Sequence, residues 1–414
     1  MTLWNYLVSK MQKYQNKMAF YNSKLTYRDL INLPTSNNKR KLKIIDMNSK
    51  EEQAIQILKS LANNEVAVPL IKEYGIKNYE YIKNIVNNSN EDVDDLAFLM
   101  FTSGTTGVPK GVMLTDENII SNLEAIKSYF NVENAQSICI ARPLVHIAVL
   151  TGELLYALIN GLTIYFFEEP FMPRRLLSYF NQNKIDIFCG TPTLFSLLAS
   201  SSLSSNLKIG VLSGELLNEK IKERIVKAFP KTDFYNVYGL TEHSPRVSAL
   251  LPYEFKYKTN SVGKVLPNVQ IKIIDNELFI KSKSVMKGYF LDRKQTKEKI
   301  KSGWLATKDL ARVDEDGYLY IMGRKDNLII RSGINIYPEE IEMAAKEIDG
   351  VLEVLVGSEI KENQTCIYLK YVGSINELAL KKELIKRINL NVIPNKIIKV
   401  QSIEKTPSGK IKRG

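Results

Sequence analysis

Short apolar runs and amphipathic stretches take turns along the middle of the chain. LAFLMF (Leu96–Phe101) is continuous in apolar side chains and stands behind a polar segment, Asn87–Asp95, rich in Asn, Asp and Glu. Its length and its bounding turn residues predict a buried strand. LTIYFFE (Leu162–Glu168), IDIFCG (Ile185–Gly190) and KIGVLSG (Lys208–Gly214) repeat the pattern. The stretches Arg174–Gln182 and Thr193–Ser200 read as helices, and Asn218–Phe229 as an amphipathic one. Strand alternating with helix predicts parallel strands packed by helices, an α/β body. The most apolar stretch, Val149–Phe167, is interrupted by Gly152, Glu153, Asn160 and Gly161. A spanning helix tolerates such groups poorly, so it reads as buried helix followed by strand, with no membrane span.

From Ser261 to Tyr320 the pattern changes to short strands separated by Gly- and Asn-rich turns (VQIKIID, ELFIKS, GYLYIMG). That predicts an antiparallel or barrel-like piece. After a charged turn, GRKD (Gly323–Asp326), come LIIRSG, a helix near Pro338–Glu347, the strands VLEVLVG and TCIYLKYVG, a helix at Glu377–Ile388 and a Lys-rich tail. The expected organisation is a large N-terminal α/β domain over 1–323, a hinge at 324–327 and a small, mobile α+β C-terminal domain over 328–414.

Composition narrows the classes. At 414 residues the chain has length for two or three domains, and 44% hydrophobic with 25% charged residues is ordinary globular usage. The 57 Lys+Arg against 45 Asp+Glu give +12, but the lysines are scattered, so a basic soluble surface is expected and no nucleic-acid groove. Cys139, Cys189 and Cys366 fit neither a metal spacing nor a disulfide framework. With no secretory pattern at the N-terminus, a cytoplasmic location is expected.

The strongest chemical signal is FTSGTTGVPKGV (Phe101–Val112). The hydroxyls of Thr102, Ser103, Thr105 and Thr106 alternate with Gly104 and Gly107, and Lys110 closes the loop. Glycines let backbone N–H groups turn toward one anion, hydroxyls add donors and the lysine adds a charge. This is no Walker A loop, because Pro109 precedes Lys110 where that motif opens a helix. Apolar runs on both sides predict a phosphate-binding loop between two strands.

These residues resemble the signature loop of the adenylate-forming superfamily, which includes acyl-CoA synthetases, adenylation domains of peptide synthetases and luciferases. Further segments resemble that superfamily's motifs in their order: RPLVHIAVLTG (Arg142–Gly152), VLSGELL (Val211–Leu217), YNVYGLTE (Tyr235–Glu242), the long stretch Trp304–Glu342, and KTPSGKIKR (Lys405–Arg413). The likeness runs from about Leu96 to the end; LTYRDL and AIQILKSLANNEVAVPL echo it earlier.

The resemblance implies a two-step reaction: a carboxylate attacks the α-phosphate of ATP, and a thiol then displaces AMP. It places Thr102–Lys110 on the β- and γ-phosphates, the Thr241 hydroxyl on phosphate and Glu242 on Mg²⁺. Gly214 and Glu215 fall in the glycine turn beside adenine, and Tyr238 with Gly239 offers adenine a ring face. Asp309 would accept the ribose hydroxyls, with Arg324 assisting there or at the α-phosphate. Lys410 would bridge carboxylate and α-phosphate during adenylation, and His146 would stand where the acyl pocket meets the thiol tunnel. Gly333 falls in the tunnel wall, and Asp326 at the hinge. Outside the motifs Glu242, Asp309 and Arg324 would read as surface charges, and His146 as a core histidine. His243 is assigned nothing.

Some positions depart from the pattern. Lys308 stands where Gly commonly precedes the ribose-binding Asp, Glu215 where a second Gly is frequent, and Val145 where an aromatic often precedes His. Against the resemblance, the segment before the phosphate loop, about a hundred residues, is expected to be an abridged form of the family's opening part. Val145, Ile147, Ala148 and Val149 are apolar, which suits a fatty or aryl acid better than an amino acid, whose ammonium they would strip of water. The expected activity is that of an acid:CoA ligase using ATP, Mg²⁺ and coenzyme A. Two alternatives stay open: delivery to the phosphopantetheine of an acyl carrier protein, and a catalytically reduced nucleotide-binding scaffold.

Overall fold

The computed structural model describes residues 1–404 except 37, 73–74, 103–107, 259, 332–333 and 362–363. The body rests on two sheets. The larger has nine strands in the order Lys264–Val265, Arg246–Leu250, Asp233–Gly239, Ile209–Ser213, Ile187–Gly190, Ser137–Ile140, Thr163–Phe166, Met18–Phe20 and Leu25–Thr26. Neighbours from Asp233–Gly239 through to Met18–Phe20 run parallel. Parallel strands need crossovers, which the helices Pro173–Asn183, Pro192–Ala199 and Glu219–Ala228 supply. Proline opens the first two, where its missing N–H would go unbonded in any case. The Asn218 side chain caps the third by accepting from the Ile221 N–H.

The second sheet has five strands, in the order Gly288–Tyr289, Lys110–Thr115, Leu96–Thr102, Val66–Pro69 and Leu42–Ile45. Side chains alternate along Leu96–Thr102: Phe98 and Met100 enter the main core, whereas Leu99 and Phe101 pack under the helix Ile76–Asn87. Both faces are covered, which is why the run is apolar without a break. The main core lies between the two sheets, and the other face of the larger sheet holds a second cluster built on Phe180, Phe188, Phe195 and Phe234.

The stretch Val149–Phe167 is helix then strand as expected, but its first turns are widened. Leu150–Leu155 is π-helical, Tyr156–Ile159 is α-helical, and Thr163–Phe166 is a strand. Of the two forms expected for the next piece, antiparallel or barrel-like, the structure has the first, an open antiparallel sheet. Its order is Gln270–Ile274, Glu277–Lys281, Trp304–Val313 and Ile300–Lys301, with Leu319–Arg324 also paired to Trp304–Val313. From Ile329 to Ile397 the chain closes a small α+β core of its own around Ile341, Val354, Val356, Ile367, Leu369 and Leu384. No helix among the described residues is long and apolar enough to cross a membrane.

Candidate active site

The antiparallel pairing of Trp304–Val313 with Leu319–Arg324 sets Asp309 opposite Arg324. Arg324 Nη1 lies 3.0 Å from Asp309 Oδ1. The other carboxylate oxygen accepts the hydroxyl of Tyr238, which reaches it from near the end of the Asp233–Gly239 strand. Asp309 is 7% exposed, so its charge depends on these partners. The Asp309 N–H donates to Thr307 Oγ1 at 3.0 Å, and that hydroxyl donates to Leu278 O at 2.7 Å. Burial, then the charge of Asp309, pushes the Tyr238 hydroxyl well above its ordinary pKa. Burial opposes the charge on Arg324, but Asp309 outweighs it and the guanidinium pKa is raised.

The chain then turns sharply. A Cβ on Gly239 would stand 2.1 Å from Pro245 O, so only glycine fits there. Thr241–His243 forms one 3₁₀ turn with Glu242 half-buried. The Tyr289 hydroxyl donates to Glu242 Oε1 at 2.8 Å, and Lys110 Nζ lies 5.8 Å from the centre of the Tyr289 ring. Tyr289 arrives through strand pairing, opposite Val112 on the strand that Lys110 begins. Thr102 and Lys110 face one another across the Leu96–Thr102 and Lys110–Thr115 pair, so together they close the glycine–hydroxyl loop. A cleft beside them is lined by Val108, Pro109, Lys110, Gly111, Tyr289 and Phe290.

The structure thus brings together Tyr238, Asp309 and Arg324, and Glu242 with Lys110 through Tyr289. It gives other expected residues different surroundings. Gly214, with φ +88°, turns the chain after the Ile209–Ser213 strand. The Glu215 carboxylate accepts from the Thr193 N–H at 3.1 Å, at the start of the Pro192–Ala199 helix. A carboxylate is favoured there by the unsatisfied N–H groups, which accounts for Glu in place of a second Gly. His146 begins the helical segment that leads into the π-helix, its carbonyl accepting from Val149 and Leu150 N–H. His243 is fully buried, with Nε2 at 2.7 Å from Ser282 Oγ. Ser103, Gly104, Thr105, Thr106, Gly107, Gly333 and Lys410 lie outside the described residues.

Two residues beside the site escape a reading of motifs. Tyr289 carries no local signal, since its partner Glu242 is far away in sequence. Lys299 is nearly buried and donates to Thr307 O at 3.2 Å, the carbonyl that Arg324 Nη1 also reaches at 3.3 Å. Burial lowers its pKa. A lysine in a KEK run reads as solvated, and only the packing under the Trp304–Val313 strand reverses that.

Residues 32–290 match the family model described as AMP-binding enzyme, which is more than half of the chain. The chain belongs to the AMP-binding enzyme family. A relative in this family, the long-chain-fatty-acid–CoA ligase of Salmonella typhimurium, is 35% identical over 283 residues, covering 63% of this chain and 50% of that protein. The mitochondrial medium-chain acyl-CoA ligase ACSF2 of Rattus norvegicus is 30% identical over 346 residues, covering 76% of this chain and 56% of that protein. The chain therefore spans about half the length of these relatives. ATP-bound MatB from Rhodopseudomonas palustris has the same fold, with a TM-score of 0.85 at 21% identity over 99% of this chain and 97% of that one. So does the O-succinylbenzoate coenzyme A synthetase MenE from Bacillus subtilis in complex with AMP, with a TM-score of 0.83, 21% identity and the same coverage.

Proposed function

We propose that the chain activates a carboxylic acid with ATP, forming an acyl-adenylate and pyrophosphate, and then transfers the acyl group to the thiol of coenzyme A with release of AMP. The observation that carries this reading is the contact of Tyr238, Asp309 and Arg324, three residues from two distant motifs. A buried carboxylate beside an aromatic face and a guanidinium suits a nucleoside, because the carboxylate can accept ribose hydroxyls while Arg324 balances its charge. Its relatives are named as acyl-CoA ligases, which supports the same chemistry.

In this reading Lys110 and the loop it closes neutralise the outer phosphates, so that an anionic acid can approach a triphosphate. Mg²⁺ would arrive with those phosphates. Among the described residues no group of three His, Cys, Asp or Glu could cage a metal, and Glu242 would add a single protein oxygen, as is usual for this ion. The Tyr289 hydroxyl holds one oxygen of that carboxylate in place. The apolar Val145, Ile147 and Val149 support an apolar body for the acid. The hinge at 324–327 would let the part beyond it swing, carrying Lys410 to the carboxylate and α-phosphate for the first step and away for the second. The free thiols of Cys139, Cys189 and Cys366 support a reducing, cytoplasmic setting.

Exchange of labelled pyrophosphate into ATP, run across a panel of acids, tests the first step. Exchange with at least one acid is expected, and its absence with every acid in folded protein would leave the nucleotide-binding scaffold as the better reading. Lys410→Ala should abolish exchange and largely spare thioester formation from supplied acyl-adenylate. Replacing coenzyme A by a holo carrier protein in the second step identifies the thiol.

A further inference from the structure

The segment that carries the apolar Val145, Ile147 and Val149 also carries charge into the interior. Arg142 Nη2 and Glu153 Oε1 are 2.6 Å apart, and Glu153 is fully buried. Arg246 joins them from the Arg246–Leu250 strand and is 3% exposed. Its Nη2 lies 2.8 Å from where a Cβ on Gly152 would stand, so glycine at 152 leaves the guanidinium its place. Among the described residues no carboxylate is within ion-pair distance of Arg246. Two guanidiniums, that of Arg142 partly exposed, share the single buried carboxylate of Glu153, so the cluster carries one positive charge in excess.

Three further observations mark this cluster as incomplete. Arg142 Nε, Glu153 Oε2 and Thr151 Oγ1 are all buried and make no hydrogen bond. Thr151, Gly152 and Glu153 sit on the π-helical turns, a backbone form concentrated at functional sites. Arg142 Nη1 is 3.5 Å from Ser213 Oγ, and Arg246 pairs across strands with Gly239. The cluster therefore lies at the carboxyl ends of the parallel strands Ser137–Ile140 and Ile209–Ser213, beside the YGLTE turn. The crevice beyond those ends is where open α/β sheets take ligands.

We infer that Arg142, which Glu153 holds in place, and Arg246 receive a second anionic oxygen group at the far end of the acid, so that the substrate is a dicarboxylic acid with an apolar spacer. The inference rests on the acid-activating function proposed above and adds the substrate class to it. An alkyl end packed here would leave buried Arg246 with only the Glu153 charge that it shares with Arg142, which is unfavourable. A carboxylate brings the cluster to neutrality and accepts the paired N–H groups that a guanidinium offers. Glu153 pins the Arg142 side chain and limits the excess to one charge, matched to one carboxylate.

Pyrophosphate exchange with monocarboxylic, ω-hydroxy and dicarboxylic acids of equal length, over a series of lengths, tests this. Dicarboxylic acids of at least one length should exceed the matched monocarboxylic acid in kcat/KM by about tenfold or more. In Arg246→Leu, KM for the dicarboxylic acid should rise by about tenfold with kcat nearly unchanged, and Arg246→Lys should recover part of it. Preference for the monocarboxylic or the ω-hydroxy acid at every length overturns the inference. The wild-type panel decides the matter even if the variants do not fold. If no acid supports exchange, the activation reading fails by itself. The second-anion site is then read from thermal unfolding, where dicarboxylic acids should raise the wild-type Tm and monocarboxylic acids should not; equal shifts or none overturn it.

Discussion

Lys308 Nζ lies 3.0 Å from Asp326 Oδ1. Partial burial would raise the Asp326 pKa, but the bond and charge of Lys308 outweigh it and hold the carboxyl below its ordinary range. Lys308 reaches this carboxylate from a left-handed backbone, φ +64°, which disfavours a side chain with a Cβ. The position where the family pattern has glycine thus keeps the glycine conformation and adds a cation at the proposed hinge. Lys308→Gly and Lys308→Ala both remove the ion pair, but only the first relieves the backbone. The glycine variant should be more stable than the alanine variant by about 1 kcal/mol in urea unfolding. Equal midpoints would contradict the backbone reading.

The parts of the fold set by continuous local pattern were legible in the sequence. Leu96–Phe101 announces its strand because both faces are covered, and the helices of the body announce themselves by spacing and caps such as Asn218. The openness of the 270–324 sheet was not legible, since closure depends on which strands meet across long separations. At the site, motif residues identify Tyr238, Asp309 and Arg324 as chemistry, but their mutual contact needs two sheets to meet. Tyr289, Lys299 and Arg246 show the limit: each looks ordinary in its own segment and gains meaning from a neighbour far along the chain.

Tyr289 is 5% exposed and orients Glu242 through one hydrogen bond. Tyr289→Phe keeps the ring beside Lys110 and deletes only that bond. A modest loss of stability, about 1 kcal/mol, is expected for the bond. If Glu242 adds the protein oxygen to Mg²⁺, the Mg²⁺ concentration for half-maximal pyrophosphate exchange should rise several-fold. Glu242→Gln should raise it further. An unchanged Mg²⁺ titration in Tyr289→Phe would remove Tyr289 from the positioning of the carboxylate.

Burial lowers the pKa of His243 from 6.5 to about 4. The unfolded chain therefore binds a proton between pH 6.5 and pH 4 that the folded chain refuses. Stability from this residue is complete above pH 6.5 and is lost as the pH falls toward 4. At pH 5 the loss relative to pH 7 should be about 2 kcal/mol. Urea unfolding at the two pH values should show it, and His243→Gln should flatten the difference by that amount. A variant with the same pH dependence as wild type would mean that His243 takes up its proton as readily in the folded protein as in the unfolded chain.

Asp309 holds two groups at once, Arg324 through Oδ1 and Tyr238 through Oδ2. Each carboxylate oxygen has a second lone pair, so both contacts can persist while ribose hydroxyls bind. Asp309→Asn keeps the shape and removes the charge. It turns one acceptor into a donor that must face either the guanidinium or an incoming hydroxyl, and it leaves Arg324 without its nearest counter-charge. KM for ATP in pyrophosphate exchange should rise about tenfold or more, since about 1.4 kcal/mol of binding accounts for each factor of ten. Tyr238→Phe deletes only the donor to Oδ2 and keeps a ring for adenine, so its rise in KM should be smaller, about two- to fivefold. The order of the two effects is the test. If Tyr238→Phe weakens ATP more than Asp309→Asn does, the hydroxyl itself meets the nucleotide and Asp309 serves mainly to hold it. If Asp309→Asn leaves KM for ATP unchanged in folded protein, the carboxylate only neutralises Arg324, and the ribose must be held elsewhere.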